Sequence, residues 1–314
     1  MNRARFGLAF ISPAVIFFIL FWSLPVLLAG FYAFTDWRIG STADFIGLDN
    51  FTGLLNDPLF QRSVQASLWI AALVVTGSML LGLGIAQILA DERIRFGRMW
   101  RLIVIVPVVA DWVATGLVFQ LIFLPNQGVL AALGHSLGLD FLIRMRWTTS
   151  ADLAPFAIAI FVIWKQTGLY AIFLFAGLRS IPRAVVEAAQ VDGASPLQTL
   201  LRIKLPLMTP NLAFVLIFAF LTTLGLFEPV FLLTAGGPAG ATRTLPLFLF
   251  ENFFTFGNSG YASAAGIYFL VMSLAFAFMA AWVLRSRAED CLLYTSPSPR
   301  DFSCNLVCRL RLGK

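Results

Sequence analysis

A chain of 314 residues that is 59% apolar, 14% aromatic and only 12% charged, with a mean hydropathy of +0.86, is too apolar for a water-soluble globular protein. The formal charge of +6 is spread over loops between apolar stretches, so it gives no reason to expect nucleic acid as a partner. The alternation of apolar and polar residues that an outer-membrane barrel requires is absent, which leaves helices as the spanning element.

A bilayer core about 30 Å thick takes roughly 20 apolar residues per helix. Six stretches of that length follow one another at 8–34, 64–90, 102–124, 154–178, 210–234 and 261–284. The first follows Arg3 and Arg5 as a secretory signal does, but its charge-free run from Phe6 to Thr35 far exceeds a signal's apolar region of about 7–15 residues, so it reads as a retained helix. In the second, Ser78, Gly82 and Ala86 recur every four residues, the pattern of close helix packing. Asp111 and Gln120 fall in the third, and His135, the one histidine, in the loop after it, where a solvated side chain is expected. The fourth stretch carries Lys165, Gln166 and Tyr170, and the fifth carries Asn211 and, in its outer third, Glu228.

Basic residues resist translocation, so the loops that hold them face the cytoplasm. With the N-terminus inside, the inner segments hold Arg3, Arg5, Arg93, Arg95, Arg98, Arg101, Arg179, Arg183, Arg202, Lys204, Arg285 and Arg287, against Arg38, Arg62, Arg144, Arg146 and Arg243 outside. Six spans return the C-terminus to the cytoplasm. The expected architecture is an all-α membrane protein with six transmembrane helices and both termini inside.

A charge near mid-membrane costs about 2.5–3.5 kcal/mol on insertion scales, so each asks for a partner or a wet cavity. Asp111 and Lys165 lie at similar depth in antiparallel neighbours, which leaves open a buried ion pair or direct contact with a solute. A carbohydrate path needs amides, carboxylates and aromatic faces, and Asp111, Gln120, Lys165, Gln166, Tyr170, Asn211 and Glu228 are the candidates by depth or chemistry. Most of the aromatic residues are Phe, 32 of them, and their default role is packing.

The inner loop between spans four and five, 180–210, has its own punctuation. Ser180 and Pro182 can open a short helix, Gly193 can end it in the left-handed conformation, and Ser195 and Pro196 can start another, with Pro206 and Pro210 at the exit into the membrane. Arg183 and Glu187 stand four apart on one helix face, and small Ala188 and Ala189 permit close approach by a partner. A helix lying on the membrane surface is the competing reading; it accounts for Leu197, Leu200 and Leu201 but lacks the basic face such binding wants.

Glu187-Ala-Ala, then Asp192-Gly193, then Ile203-x-Leu205-Pro206 resembles the signature loop of permease subunits of binding-protein-dependent ABC importers. The carbohydrate-uptake branch is resembled by Phe45-Ile-Gly-Leu-Asp-Asn-Phe51, Trp164-Lys165, Ala176-Gly-Leu-Arg-Ser-Ile-Pro182, Leu233-Thr-Ala-Gly-Gly-Pro238 and Gly260-Tyr-Ala-Ser-Ala264. The resemblance runs over nearly all of 8–285. It implies a type-1 ABC importer permease fold, with 64–285 as the transmembrane domain behind an N-terminal segment at 1–63. It implies that the loop, through Arg183, Glu187, Ala188, Ala189, Asp192, Gly193, Ile203, Leu205 and Pro206, docks into a cytoplasmic ABC ATPase dimer. It also implies a second permease subunit, expected as a heterodimer, an extracytoplasmic solute-binding protein, and a sugar, polyol or glycerol phosphate as cargo in the plasma (inner) membrane. An ABC permease for another solute, or an ion-coupled transporter with Asp111, Lys165 and Glu228 as a relay, are the alternatives. A membrane enzyme has no catalytic or metal-binding cluster behind it. No phosphate loop is present, since none of Lys165, Lys204 and Lys314 has that context, so no cofactor is expected in this chain and ATP with magnesium is expected on the partner ATPase.

Residues 286–314 form a C-terminal tail whose composition turns abruptly polar after Asp290. Its run Cys291-Leu-Leu-Tyr-Thr-Ser-Pro-Ser-Pro-Arg-Asp301 resembles the translation of a transposon-type sequencing-library adapter, so 291–314 is expected to be foreign to the natural protein. The three cysteines, Cys291, Cys304 and Cys308, all lie there and lack the four ligands of a zinc site.

Overall fold

The computed structural model describes residues 3–91 and 96–293, so Arg93, Arg95 and most of the tail lie outside the described residues. Among the described residues the only β pairing is an isolated bridge between Thr35 and Phe45; the rest of the ordered backbone is helical. The helices are α1 (Phe10–Tyr32, continuing one that starts at Arg3), α2 (Asp49–Asn56), α3 (Pro58–Ala90), α4 (Gly97–Val109), α5 (Trp112–Ile122), α6 (Val129–Leu137) and α7 (Asp140–Arg144). They continue with α8 (Ala154–Arg179), α9 (Arg183–Val191), α10 (Pro196–Leu207), α11 (Thr209–Leu224), α12 (Glu228–Leu233), α13 (Leu245–Thr255) and α14 (Ser259–Leu293). Four of these, α1, α3, α8 and α14, are long and apolar enough to cross a membrane unbroken, and counting each bent pair, α4–α5 and α10–α11, as one span gives six.

Helix α1 is apolar all round and almost uncovered by protein, with Phe10 86% and Leu27 70% exposed, as suits a helix solvated by lipid. It touches the rest chiefly where its C-terminal half meets α14, and Asn50 Nδ2 pins the following turn by donating to the carbonyls of Ala33 (2.9 Å) and Thr35 (2.8 Å). The second span starts at Pro58, six residues before the predicted 64, because Asp57 caps it by accepting from the Leu59 amide at 2.8 Å.

The centre of the fold is the α3–α8 pair, the most extensive helix contact. Lipid tails are as apolar as leucine, so such pairs need small residues that let backbones close up. Ser78, Gly82 and Ala86 form that strip and are all buried, with Gly82 against the Ala171 backbone. Around the pair, Ile70 and Val74 of α3 pack with Ile158, Phe161 and Val162 of α8, while Tyr170 and Leu174 farther along α8 pack with Val215, Ala219 and Phe220 of α11.

Two predicted spans are not continuous helices. The third breaks at Ala110–Asp111, where both residues are extended (ψ 146° and 144°) and the two halves turn by 90°. An apolarity count over 102–124 misses this because Asp111 acts as a helix cap rather than an interior residue. The fifth ends at Leu224, and Glu228 opens the separate α12 instead of sitting inside a long helix. Pro229 supplies the reason: in a continuous helix its ring would clash with the carbonyl of Gly225. His135 is exposed as expected, although it lies in the last turn of α6 rather than in a loop.

Candidate functional site

Two places carry the candidate residues: an elbow at one end of the bundle, and a polar seam inside it. At the elbow, Ser180 does not open α9 as its sequence position suggested. Its hydroxyl donates to the Gly177 carbonyl at 2.8 Å and so closes α8, leaving Pro182 to begin α9. Gly193 takes φ +80°, its amide donates to the Gln190 carbonyl (3.1 Å), and the Ala194 amide donates to Ala189 (2.9 Å); together these satisfy the last carbonyls of α9. Ser195 and Gln198 then form a reciprocal cap on α10, with the Ser195 amide donating to Gln198 Oε1 at 2.9 Å and the Gln198 amide to Ser195 Oγ at 3.3 Å. Pro206 stays within α10, and the 79° bend into the membrane falls at Met208, followed by Pro210 in the first turn of α11.

The elbow therefore has an inner and an outer side. Ala189 is buried, and Ile203 and Leu205 are half-buried, while Arg183, Glu187, Ala188, Asp192, Gly193 and Pro206 are exposed. Val191 and Leu197, on either side of the glycine, are 86% and 64% exposed. Between the two helices lies a concavity of about 520 Å³ lined by Ala184, Val185, Ala188, Ala189, Asp192, Ala194 and Ile203. The hollow is apolar apart from Asp192 and sits at a bent corner, a shape that can receive an apolar surface.

Inside the bundle, the Asp111–Lys165 ion pair that their similar depth left open is not made. Asp111 is exposed, and its carboxylate accepts from the amides of Val113 (2.9 Å) and Ala114 (3.0 Å), capping α5. Lys165, only 1% exposed, donates instead to the carbonyls of Pro107 (3.1 Å) and Ala110, with its ammonium 4.7 Å from the centre of the Trp112 ring. The physical reason is the helix break. It frees carbonyls at the end of α4 that need donors more than Asp111 needs a cation.

One helical turn along α8, Tyr170 Oη donates to Gln166 Oε1 and lies 3.0 Å from Thr222 Oγ1 of α11, which in turn donates to the Phe218 carbonyl at 2.8 Å. Thr222 and its neighbour Thr223 were missed in the sequence. The signal was there, as two adjacent hydroxyls in an otherwise apolar stretch of α11. Asn211 ties α11 to α8 by donating to the Phe173 carbonyl (3.2 Å), opposite Gly177, which leaves room for its side chain. Gln120 and Glu228 are exposed and share no hydrogen bond with the other candidates. Because membrane hydrogen bonds average about 0.6 kcal/mol, Tyr170→Phe is expected to lower unfolding free energy by about 1 kcal/mol or less. Denaturation of the reconstituted protein checks this, and a loss of about 3 kcal/mol or more would show the hydroxyl holding a larger network.

Residues 12–288 match the model of the family described as binding-protein-dependent transport system inner membrane component. A probable ABC transporter permease of Pyrococcus horikoshii is 36% identical over 268 residues, 84% of this chain and 90% of the relative. The sulfoquinovosyl glycerol transport system permease of Agrobacterium fabrum is 32% identical over 84% of this chain and 85% of its own. Among solved structures, a chain of the bacterial alginate ABC transporter in complex with an alginate pentasaccharide-bound periplasmic protein superposes with a TM-score of 0.76 at 25% identity, covering 91% of this chain and 96% of that one.

Proposed function

The chain belongs to the family of binding-protein-dependent transport system inner membrane components, and from that premise we propose that it carries a sugar, polyol or glycerol phosphate across the inner membrane by alternating access. The named cargo of its relatives, sulfoquinovosyl glycerol and alginate among them, supports the carbohydrate class. The power enters at the elbow: a cytoplasmic ATPase dimer, holding the ATP and magnesium, seats on Arg183, Glu187, Ala188, Ala189, Asp192 and Gly193, with Ile203, Leu205 and Pro206 passing the movement to α11. An extracytoplasmic binding protein delivers the solute, and a second, related permease subunit completes the pathway.

The observation that carries this reading is the geometry of the elbow, two capped helices meeting at a left-handed glycine around a hollow of about 520 Å³. Solute hydroxyls would meet the exposed Asp111, Gln120 and Glu228 and the half-buried Gln166. The ion-relay alternative loses its geometry here, since Lys165 engages backbone carbonyls and no hydrogen bond or ion pair joins it to Asp111 or Glu228.

Vesicles holding this chain, its permease partner and the ATPase, supplied with the binding protein, test the proposal against a panel of labelled saccharides. Uptake is expected only with internal ATP. Uptake driven by a proton or sodium gradient in vesicles without the ATPase would contradict it.

A further inference from the structure

The buried lysine has a role that cargo contact does not explain. An ammonium 1% exposed in a lipid-solvated bundle needs compensation, and the Asp111 carboxylate, which caps the start of α5, makes no direct ion pair with it. Lys165 is matched to the carbonyl end of a different helix, α4, through Pro107 and Ala110, residues 58 and 55 positions away in sequence. That end carries the negative pole of the α4 dipole and carbonyls the break has orphaned. The Trp112 face, first residue of α5, closes over the same ammonium at 4.7 Å. One side chain thus grips the last turn of α4 and the first residue of α5 at once.

Its surroundings make that grip rigid. Three residues on, Gly168 lies so close to α4 that a Cβ there would sit 1.9 Å from the Val104 carbonyl oxygen, so the α8 and α4 backbones abut. On the other side, Trp112 and Phe119 of α5 pack on Phe161 of α8 with ring centres 5.7 and 4.6 Å apart. Both halves of the broken span are therefore seated on α8. The same helix runs on to Arg179, about 21 Å from Lys165 at 1.5 Å per residue, and the elbow begins just beyond it.

We propose that Lys165 is the pin of a hinge in the third span, a positioning residue that fixes the 90° turn between α4 and α5 and makes both halves follow α8 when access alternates. The transport consequence rests on the reading of the chain as an importer permease. The hinge itself does not, and the test separates the two.

Spin labels at Leu102→Cys on α4 and Val118→Cys on α5, both exposed, report the angle between the halves in the full importer reconstituted in vesicles, with the three tail cysteines changed to serine. With Lys165 present, one narrow distance distribution is expected. Lys165→Met is expected to broaden and lengthen it and to lower ATP-driven uptake about tenfold or more, as loss of a positioning group does. Lys165→Arg, which keeps the charge and the donors, is expected to restore the narrow distribution and most of the uptake. An unchanged distribution in Lys165→Met overturns the hinge, whether uptake persists or is lost through a raised KM, the second outcome marking Lys165 as a solute contact. Failure of Lys165→Arg to restore the distribution in an importer that assembles normally overturns it as well. A narrow, broadened and restored series with ATP-driven uptake unchanged keeps the hinge and removes its part in transport, whereas the same series with no ATP-driven uptake in any of the three proteins keeps the hinge and removes the importer reading instead.

Discussion

Gly193→Val is expected to abolish ATP-driven uptake while leaving insertion and assembly of the chain intact. At φ +80° a side chain meets no steric obstacle, since nothing lies within 4 Å of a Cβ built there, so the cost is purely torsional. The left-handed conformation costs an ordinary residue about 1–2 kcal/mol, and a β-branched one more. That is small against the stability of a bundle but large against the placement of one elbow, because the residue sets the angle between α9 and α10. Gly193→Asn, whose side chain tolerates this conformation, is expected to keep uptake within a few-fold of normal. Glu187→Ala attacks the same junction from its surface. The residue is exposed, and surface pairs contribute at most about 1 kcal/mol, so the fold is expected to tolerate the change while transport falls and ATP hydrolysis no longer tracks uptake. Vesicle uptake and ATPase rate measured side by side check the series. Normal coupled transport by Gly193→Val and Glu187→Ala would remove the elbow from the mechanism.

The second large effect is steric. Gly168→Ala places a methyl where the Val104 carbonyl oxygen already stands, 1.9 Å away, and a backbone atom cannot rotate aside as a side chain end can. Helix α4 must move off α8, which breaks the close approach that membrane helices rely on and loosens both Lys165 bonds. Overpacking costs typically about 1–3 kcal/mol, and here the top of that range or beyond is expected. Gly84→Ala is the natural contrast. Gly84 is exposed in the C-terminal part of α3 with nothing within 4 Å of its Cβ position, so alanine there is expected to stabilise by about 0.5–1 kcal/mol through reduced freedom of the unfolded chain. Unfolding of the reconstituted variants should therefore move in opposite directions. Equal shifts would mean that the α4–α8 approach is not tight.

The sequence made some of this legible and hid the rest for physical reasons. Span existence was legible because lipid demands about 20 apolar residues per helix, a signal no packing detail can erase. The elbow was legible because glycine, serine and proline act locally: Gly193, Ser195 and Pro196 behave as their types dictate. Ser180 misled for the same local reason, since a serine before a proline can close one helix as readily as open the next. The interior was harder. Asp111 and Lys165 looked like partners by depth, yet pairing depends on which carbonyls a helix break leaves bare, and apolarity does not register a break whose flanks stay hydrophobic. Thr222 was invisible as a partner of Tyr170 because 52 residues separate them and only the α8–α11 packing brings them together.

The central claim is that a protein motor seats on the elbow rather than the elbow lying on lipid. A photoreactive residue at Ala188, exposed in the hollow between α9 and α10, tests it in membranes holding the whole importer. An adduct to the ATP-hydrolysing subunit, whose yield changes when ATP is added, is the predicted result. Adducts to lipid alone, with no protein partner in the presence or absence of ATP, would contradict the account.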